Sequence, residues 1–148
     1  MKIASFNLLL ADDDYDDCVF FKEALEELPV SSTLKTVNDG EQLMNLLHTK
    51  PEPFPDILFL DLNMPRKTGF ECLTEIKSNE KLKSLPVIVY STSFDHEVVN
   101  MLYEKGAHYY IRKPGEFSKL KKVILEALTI TYQNLSLQPG KENFVIKS

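Results

Sequence analysis

Three consecutive aspartates, Asp12, Asp13 and Asp14, follow the apolar run LLLA, and a fourth, Asp61, follows the apolar run ILFL. If the two runs are neighbouring parallel strands, their carboxyl ends deliver several carboxylates to one edge. Like charges crowded there repel unless a cation joins them. A hard divalent ion answers that demand, because Mg2+ takes one or two carboxylates together with waters and a phosphate oxygen. Ser91 follows VIVY and Lys113 follows YYIR, so a hydroxyl and an ammonium face the same edge. Together they supply what phosphoryl oxygens require as charge develops in transfer. The nucleophile left over is a carboxylate, a group that serves in covalent phosphoryl chemistry as an aspartyl phosphate. Asp14 and Asp16, close to the start of the first helical segment, read as helix caps instead.

The same residues exclude other chemistries. A flavin or dinucleotide phosphate wants glycines and free amides after the first strand, whereas three negative charges stand there. No GxxxxGK[ST] loop occurs, which removes P-loop nucleotide hydrolysis.

These residues can converge only if the elements between them alternate. Five apolar runs read as buried parallel strands: 7–11, 33–37, 56–60, 87–90 and 109–111. Between them lie segments with helical spacing, such as Cys18, Phe21, Leu25 and Leu28 in the first and Phe117, Leu120, Ile124, Ala127 and Leu128 in the last. Strict alternation predicts an α/β domain with a doubly wound, flavodoxin-like five-stranded parallel sheet in the order 2-1-3-4-5. In such sheets ligands bind at the carboxyl ends of the strands, near the switch point between the first and third.

The 148 residues, 43% of them hydrophobic, suit one domain with a core that needs no disulfide or structural metal. Cys18 and Cys72 lie in no CxxC or Cys/His cluster and read as reduced packing residues. The start MKIASFNLLLA resembles no signal peptide, and no apolar stretch approaches the roughly 20 residues that span a bilayer. A cytoplasmic location is therefore expected. The formal charge of -5 argues against nucleic acid as a partner, but it averages two poles. Residues 12–27 hold eight acids and one lysine, while residues 105–122 hold six basic residues and one glutamate. After about Thr131 the pattern fades into a polar tail with a short apolar run, Phe144–Ile146, read as frayed, with an added edge strand as the sharper possibility.

The motifs LLLADDD, DILFLDLNMPRKTGFE, LPVIVYSTS and GAHYYIRKP together resemble the response regulator receiver domain of two-component signalling, stand-alone type, over residues 5–131. The resemblance implies that Asp61 is the phosphorylated residue, and that Asp12, Asp13, Asp61 and the backbone carbonyl of Asn63 hold Mg2+ or Mn2+. It assigns Ser91 and Thr92 to the phosphate-binding switch with Lys113, Tyr110 to the aromatic that turns inward, and Asn63 and Ser93 to the tuning of hydrolysis. It marks Lys113–Pro114 as a candidate cis peptide. Phosphorylation by a sensor histidine kinase or phosphotransfer protein would change a surface of the fourth helix, fifth strand and fifth helix, with Phe94, Val98, Tyr109, Lys119 and Lys122 as candidates to meet a downstream protein. No membrane contact is implied, a homodimer is possible, and residues 132–148 form a tail with no separate output domain. Gly115 departs from the large apolar residue that usually follows Lys-Pro, and Phe117 is expected to fill that pocket. The stretch Ser78–Pro86 is longer than the usual connection.

Two other readings use the same residues. An aspartate-dependent phosphatase or phosphotransferase of the haloacid dehalogenase type would want a second aspartate where Asn63 stands. A constitutive scaffold would have no need of the full set Asp12, Asp13, Asp61, Ser91 and Lys113. Nucleic-acid binding would rest on Lys119, Lys121 and Lys122, a run that reads as a solvated helix face.

Overall fold

The structure, a computed structural model, describes residues 5–134 and 137–148, so Met1–Ala4 of the leader reading and positions 135–136 of the tail lie outside the described residues. Six strands and five α-helices alternate: β1 Phe6–Ala11, α1 Tyr15–Glu26, β2 Ser32–Val37, α2 Gly40–His48, β3 Ile57–Leu60, α3 Gly69–Ser78, β4 Val87–Ser91, α4 His96–Glu104, β5 Tyr109–Arg112, α5 Phe117–Asn134 and β6 Val145–Ile146. All pairings are parallel and the order is β2-β1-β3-β4-β5-β6. The predicted order of five strands therefore holds, and a sixth extends it.

The two faces of the sheet bury different clusters. Leu9, Leu58, Leu60 and Val89 pack under α2, α3 and α4, whereas Leu8, Leu10, Phe59 and Ile88 pack under α1 and α5. Both faces of the inner strands are covered, which is why their sequences read as unbroken apolar runs rather than alternating ones. Side chains that compete for the backbone sit at helix starts: Asp14 accepts from Asp17 N–H at 3.1 Å, Asp39 from Gln42 N–H at 2.8 Å, and Thr68 with Glu71 forms a capping box. Asp16 does not cap; it lies exposed in the first turn of α1.

Three differences from the sequence reading have local causes. Asp56 is not a strand residue, because its carboxylate turns back to accept the Asn7 N–H at 2.7 Å. Helix α5 runs past Thr131 to Asn134, with Thr131 buried and the Tyr132 ring edge-on to Phe6 at 6.0 Å. The tail is not frayed: Tyr110 and Ile111 pair with Val145 and Ile146, and Phe144 and Ile146 are buried on opposite faces of the sheet. The long connection after α3 is tied down by Lys77, whose ammonium donates to the carbonyls of Lys83 at 3.0 Å and Leu85 at 3.1 Å.

Cys18 and Cys72 are free, and burial pushes their thiols up to about 11 and about 12. Both are unreactive packing residues.

Gly69 fixes the approach of α3 to the strand end that carries Asp61. Its N–H donates to Leu62 O at 2.9 Å, and a Cβ there would collide with the Asp61 carbonyl oxygen and lie 2.8 Å from Leu62 Cα. Gly69→Ala is expected to cost about 1–3 kcal/mol, the usual range for overpacking. Urea unfolding should show a lower midpoint at unchanged slope, and a wild-type midpoint would contradict this packing.

Candidate functional site

The ladder of the sheet runs one residue past the strands, and this places the site. Asp12 N–H donates to Val37 O at 3.1 Å, Asp61 N–H to Ala11 O at 2.9 Å and Lys113 N–H to Ser91 O at 2.8 Å. With Ala11 opposite Leu60, Asp12 and Asp61 leave β1 and β3 at one level; Leu60 opposite Val89 and Ser91 opposite Arg112 place Ser91 one residue further along β4 and Lys113 two further along the line of β5. Backbone hydrogen bonds thus set the separation of the reactive groups before any side chain interacts.

Asp12, Asp61 and Ser91 are buried, and Asp13 is exposed at the mouth. One carboxylate oxygen from each of Asp12, Asp13 and Asp61 falls within 4.8 Å of the others, a grouping that could hold a metal ion. The Lys113 ammonium lies 2.8 Å from Asp12 Oδ2, 2.8 Å from Asp17 Oδ2 and 3.8 Å from Asp61 Oδ2. It stands 5.2 Å from the centroid of the Tyr90 ring, a cation–π placement that covers it from the core side. Asp61 Oδ1 accepts the Leu62 N–H at 2.9 Å, and Asp12 Oδ1 accepts the Asp14 N–H at 3.0 Å.

Charge is unevenly compensated. Burial, seconded by the charge of Asp12, pushes Asp61 up to about 7 against the pull of Lys113. Burial likewise raises Asp12 above the usual carboxylate range. For Lys113, burial works against the ammonium, but the carboxylates of Asp12 and Asp17 outweigh it and hold its pKa above the ordinary lysine value. Asp12 Oδ2 is fully buried and no hydrogen bond is directed at it, although the ammonium is close. A fully buried acceptor with an unused lone pair, beside two more carboxylates, fits a divalent cation with oxygen ligands.

The predicted residues separate into those at the site and those around it. Asp12, Asp13, Asp61 and Lys113 converge. Ser91 Oγ accepts the Ser93 N–H at 3.2 Å, while Thr92, Ser93 and Asn63 are exposed in the loops after β4 and β3. Tyr110 is fully buried, with its hydroxyl donating to Ser93 O. Gly115 has open space around it, and Phe117 packs on Phe20 at 5.4 Å between ring centroids.

Two expectations are corrected. The cis peptide among the described residues is Glu52–Pro53, so Lys113–Pro114 is trans. Trans is intrinsically favoured by about 0.5–1 kcal/mol, and with its amide held by Ser91 the lysine reaches the carboxylates without the other isomer. Tyr109 is not a surface residue; it is 3% exposed beneath α5 and next to β6, and its hydroxyl accepts from Asn134 Nδ2. Phe94, Lys119 and Lys122 are exposed and Val98 half-buried, as expected of a surface. The lysine run is partly paired, Lys119 with Glu116 and Lys121 with Glu27, as on a solvated face.

Asp17 and Tyr90 were not anticipated. Acids in the first turn of a helix are common for dipole reasons, which hides one that also points at a strand end. The spacing of five between Asp12 and Asp17, one turn into α1, was the available signal.

Lys113→Ala leaves Asp12 buried without its counter-charge. It should lose about 3–5 kcal/mol, the range for removing one partner of a buried pair. Asp17→Asn, at the half-exposed end of the same group, should lose about 1 kcal/mol or less. Denaturant unfolding of the two variants would reveal a different arrangement if their order were reversed.

Residues 8–125 match the response regulator receiver domain family. The chain is 34% identical to the response regulator Rcp1 of Synechocystis sp., over 79% of its own length and 82% of that protein's. Its structure is similar to the phosphorylated cyanobacterial phytochrome response regulator RcpA, with TM-score 0.77 and 33% identity over 93% of this chain and all of that one. It is also similar to the Mn2+-bound form of Rcp1, with TM-score 0.75 and 30% identity over 91% of this chain and 99% of the other.

Proposed function

Because the chain belongs to the response regulator receiver domain family, a signalling family of two-component systems, we propose that it is a phosphorylation-switched regulator with Asp61 as the phosphoacceptor. The observation that carries this reading is the convergence of Asp12, Asp13 and Asp61 within 4.8 Å of one another beside the Lys113 ammonium. The phosphorylated state of RcpA and the Mn2+ of Rcp1 support it by likeness.

In this reading Asp12, Asp13, Asp61 and the Asn63 carbonyl hold Mg2+ or Mn2+, which when bound supplies positive charge to the phosphoryl oxygens. A carboxylate oxygen of Asp61 forms a bond to phosphorus as the P–N bond of a phosphohistidine breaks, and the electron pair leaves with the imidazole. Leu62 N–H holds the other oxygen of Asp61 and so orients the attacking one. Lys113 neutralises the oxygens that accumulate charge, and Ser91 and Thr92 offer hydroxyls from the end of β4. Burial serves this chemistry, since Asp61 is a poorly solvated anion until its charge is shared. Asn63 and Ser93, both exposed in the loops after β3 and β4, are the residues this reading assigns to the tuning of hydrolysis.

The donor class is a sensor histidine kinase or phosphotransfer protein, and likeness to phytochrome regulators makes a phytochrome-type kinase the first to try. Output passes to a protein partner through the α4–β5–α5 side, where β6 covers the edge of β5 and Phe94 and Met101 are exposed apolar residues. Among the described residues no helix is long and apolar enough to cross a membrane.

Incubation with Mg2+ and acetyl phosphate should add one phosphoryl group by intact mass, and Asp61→Asn should add none. No adduct on the wild type, or an adduct retained in Asp61→Asn, would overturn the assignment. Lys113→Ala, provided that it folds, should slow the reaction by at least tenfold.

A further inference from the structure

Phe144, at the entrance to β6, is buried although it belongs to a segment whose sequence reads as a polar tail. Its ring centroid lies 5.2 Å from that of Tyr103 and 6.5 Å from that of Tyr110, and its carbonyl accepts the Tyr110 N–H at 3.0 Å. The tail is also pinned from α4: Tyr103 Oη donates to Pro139 O at 2.7 Å, and Gln138 Nε2 donates to Tyr103 O at 2.7 Å and to Ala107 O at 2.8 Å. Tyr110 is thereby enclosed, with Phe144 packed against its ring and Phe94 edge-on to it at 6.0 Å. Its hydroxyl reaches Ser93 O, and Ser93 N–H returns to Ser91 Oγ. A continuous set of contacts therefore joins the tail to the hydroxyl at the phosphoryl site.

We propose that Phe144 is a positioning residue of the switch, which by packing beside Tyr110 holds that ring inward so that docking of residues 137–146 and occupancy of the phosphoryl site favour each other. This rests on the Asp61 reading. The physical reason is packing: an outward Tyr110 would leave unfilled volume beside Phe144, and a close-packed interior resists intermediate positions. Two discrete arrangements result, and a ligand that favours one must be favoured by whatever else favours it. The tail thus sets how readily the site accepts a phosphoryl group, and phosphorylation tightens the tail in return.

Calorimetric titration with beryllofluoride and Mg2+, a stand-in for the acyl phosphate, tests the coupling on the full chain. Wild type should bind; failure to bind would count against the Asp61 reading and not against the coupling alone. Phe144→Ala should bind about five-fold more weakly or worse, the lower end of couplings between sites. Tyr110→Ala should show a similar loss and the double variant no further loss, whereas Leu47→Ala, which destabilises the core under α2 at the opposite edge of the sheet from β6, should keep wild-type affinity. Equal affinity of wild type and Phe144→Ala, or additive losses in the double variant, would overturn the proposal. A measurement without any variant bears on it too: hydrogen exchange over residues 144–148 should slow when beryllofluoride binds, and unchanged exchange would refute the coupling.

Discussion

The site depends on one ammonium placed among carboxylates that water barely reaches. The Asp12 and Asp61 carboxylate oxygens come within 4.8 Å of each other, where two like charges repel by about 3–4 kcal/mol even at an effective dielectric near 20, and Lys113 lies close enough to both to offset that repulsion. The lysine is in turn held by the strand ladder, by Asp17 and by the Tyr90 ring, so its position is imposed by the fold rather than chosen by a flexible side chain. Yet one positive charge against Asp12, Asp13, Asp17 and Asp61 leaves the site short of cation. That deficit fits the unused lone pair of Asp12, while the raised pKa of Asp61 comes first from burial and then from the charge of Asp12.

In the proposed reading, capture of a phosphoryl group and its readout are parts of one device. Groups that would hold a phosphoryl oxygen come from the ends of β1, β3, β4 and β5, and β4 also leads into the loop carrying Ser93. The same loop meets Tyr110 from β5, so a shift of the Ser91 hydroxyl would reach the surface of α4 and β5 through two residues.

Much of this was legible in the sequence because it depends on where apolar runs stop. Asp12, Asp61 and Lys113 are each the first residue after a strand end or nearly so, and a parallel ladder converts that position into proximity. The fate of Tyr109, Tyr110 and Phe144 was not legible, because a two-residue strand has no periodicity and Phe144 is buried against neighbours such as Tyr103 and Tyr110, more than thirty residues away in sequence. Asp17 escaped for a different reason, since a first-turn acid already has an ordinary explanation in the helix dipole. The trans Lys113–Pro114 bond shows the limit of family resemblance as a guide to one backbone torsion.

Strand β6 has a further consequence, for solubility. Without it the apolar strand YYI of β5 would present an open row of amides and carbonyls, the template on which sheets from separate molecules join. With it, the outermost strand is two residues long, preceded by a 3-10 turn and followed by Lys147, too short and too charged to recruit another chain. The segment that holds Tyr110 in place thus also keeps the sheet from growing.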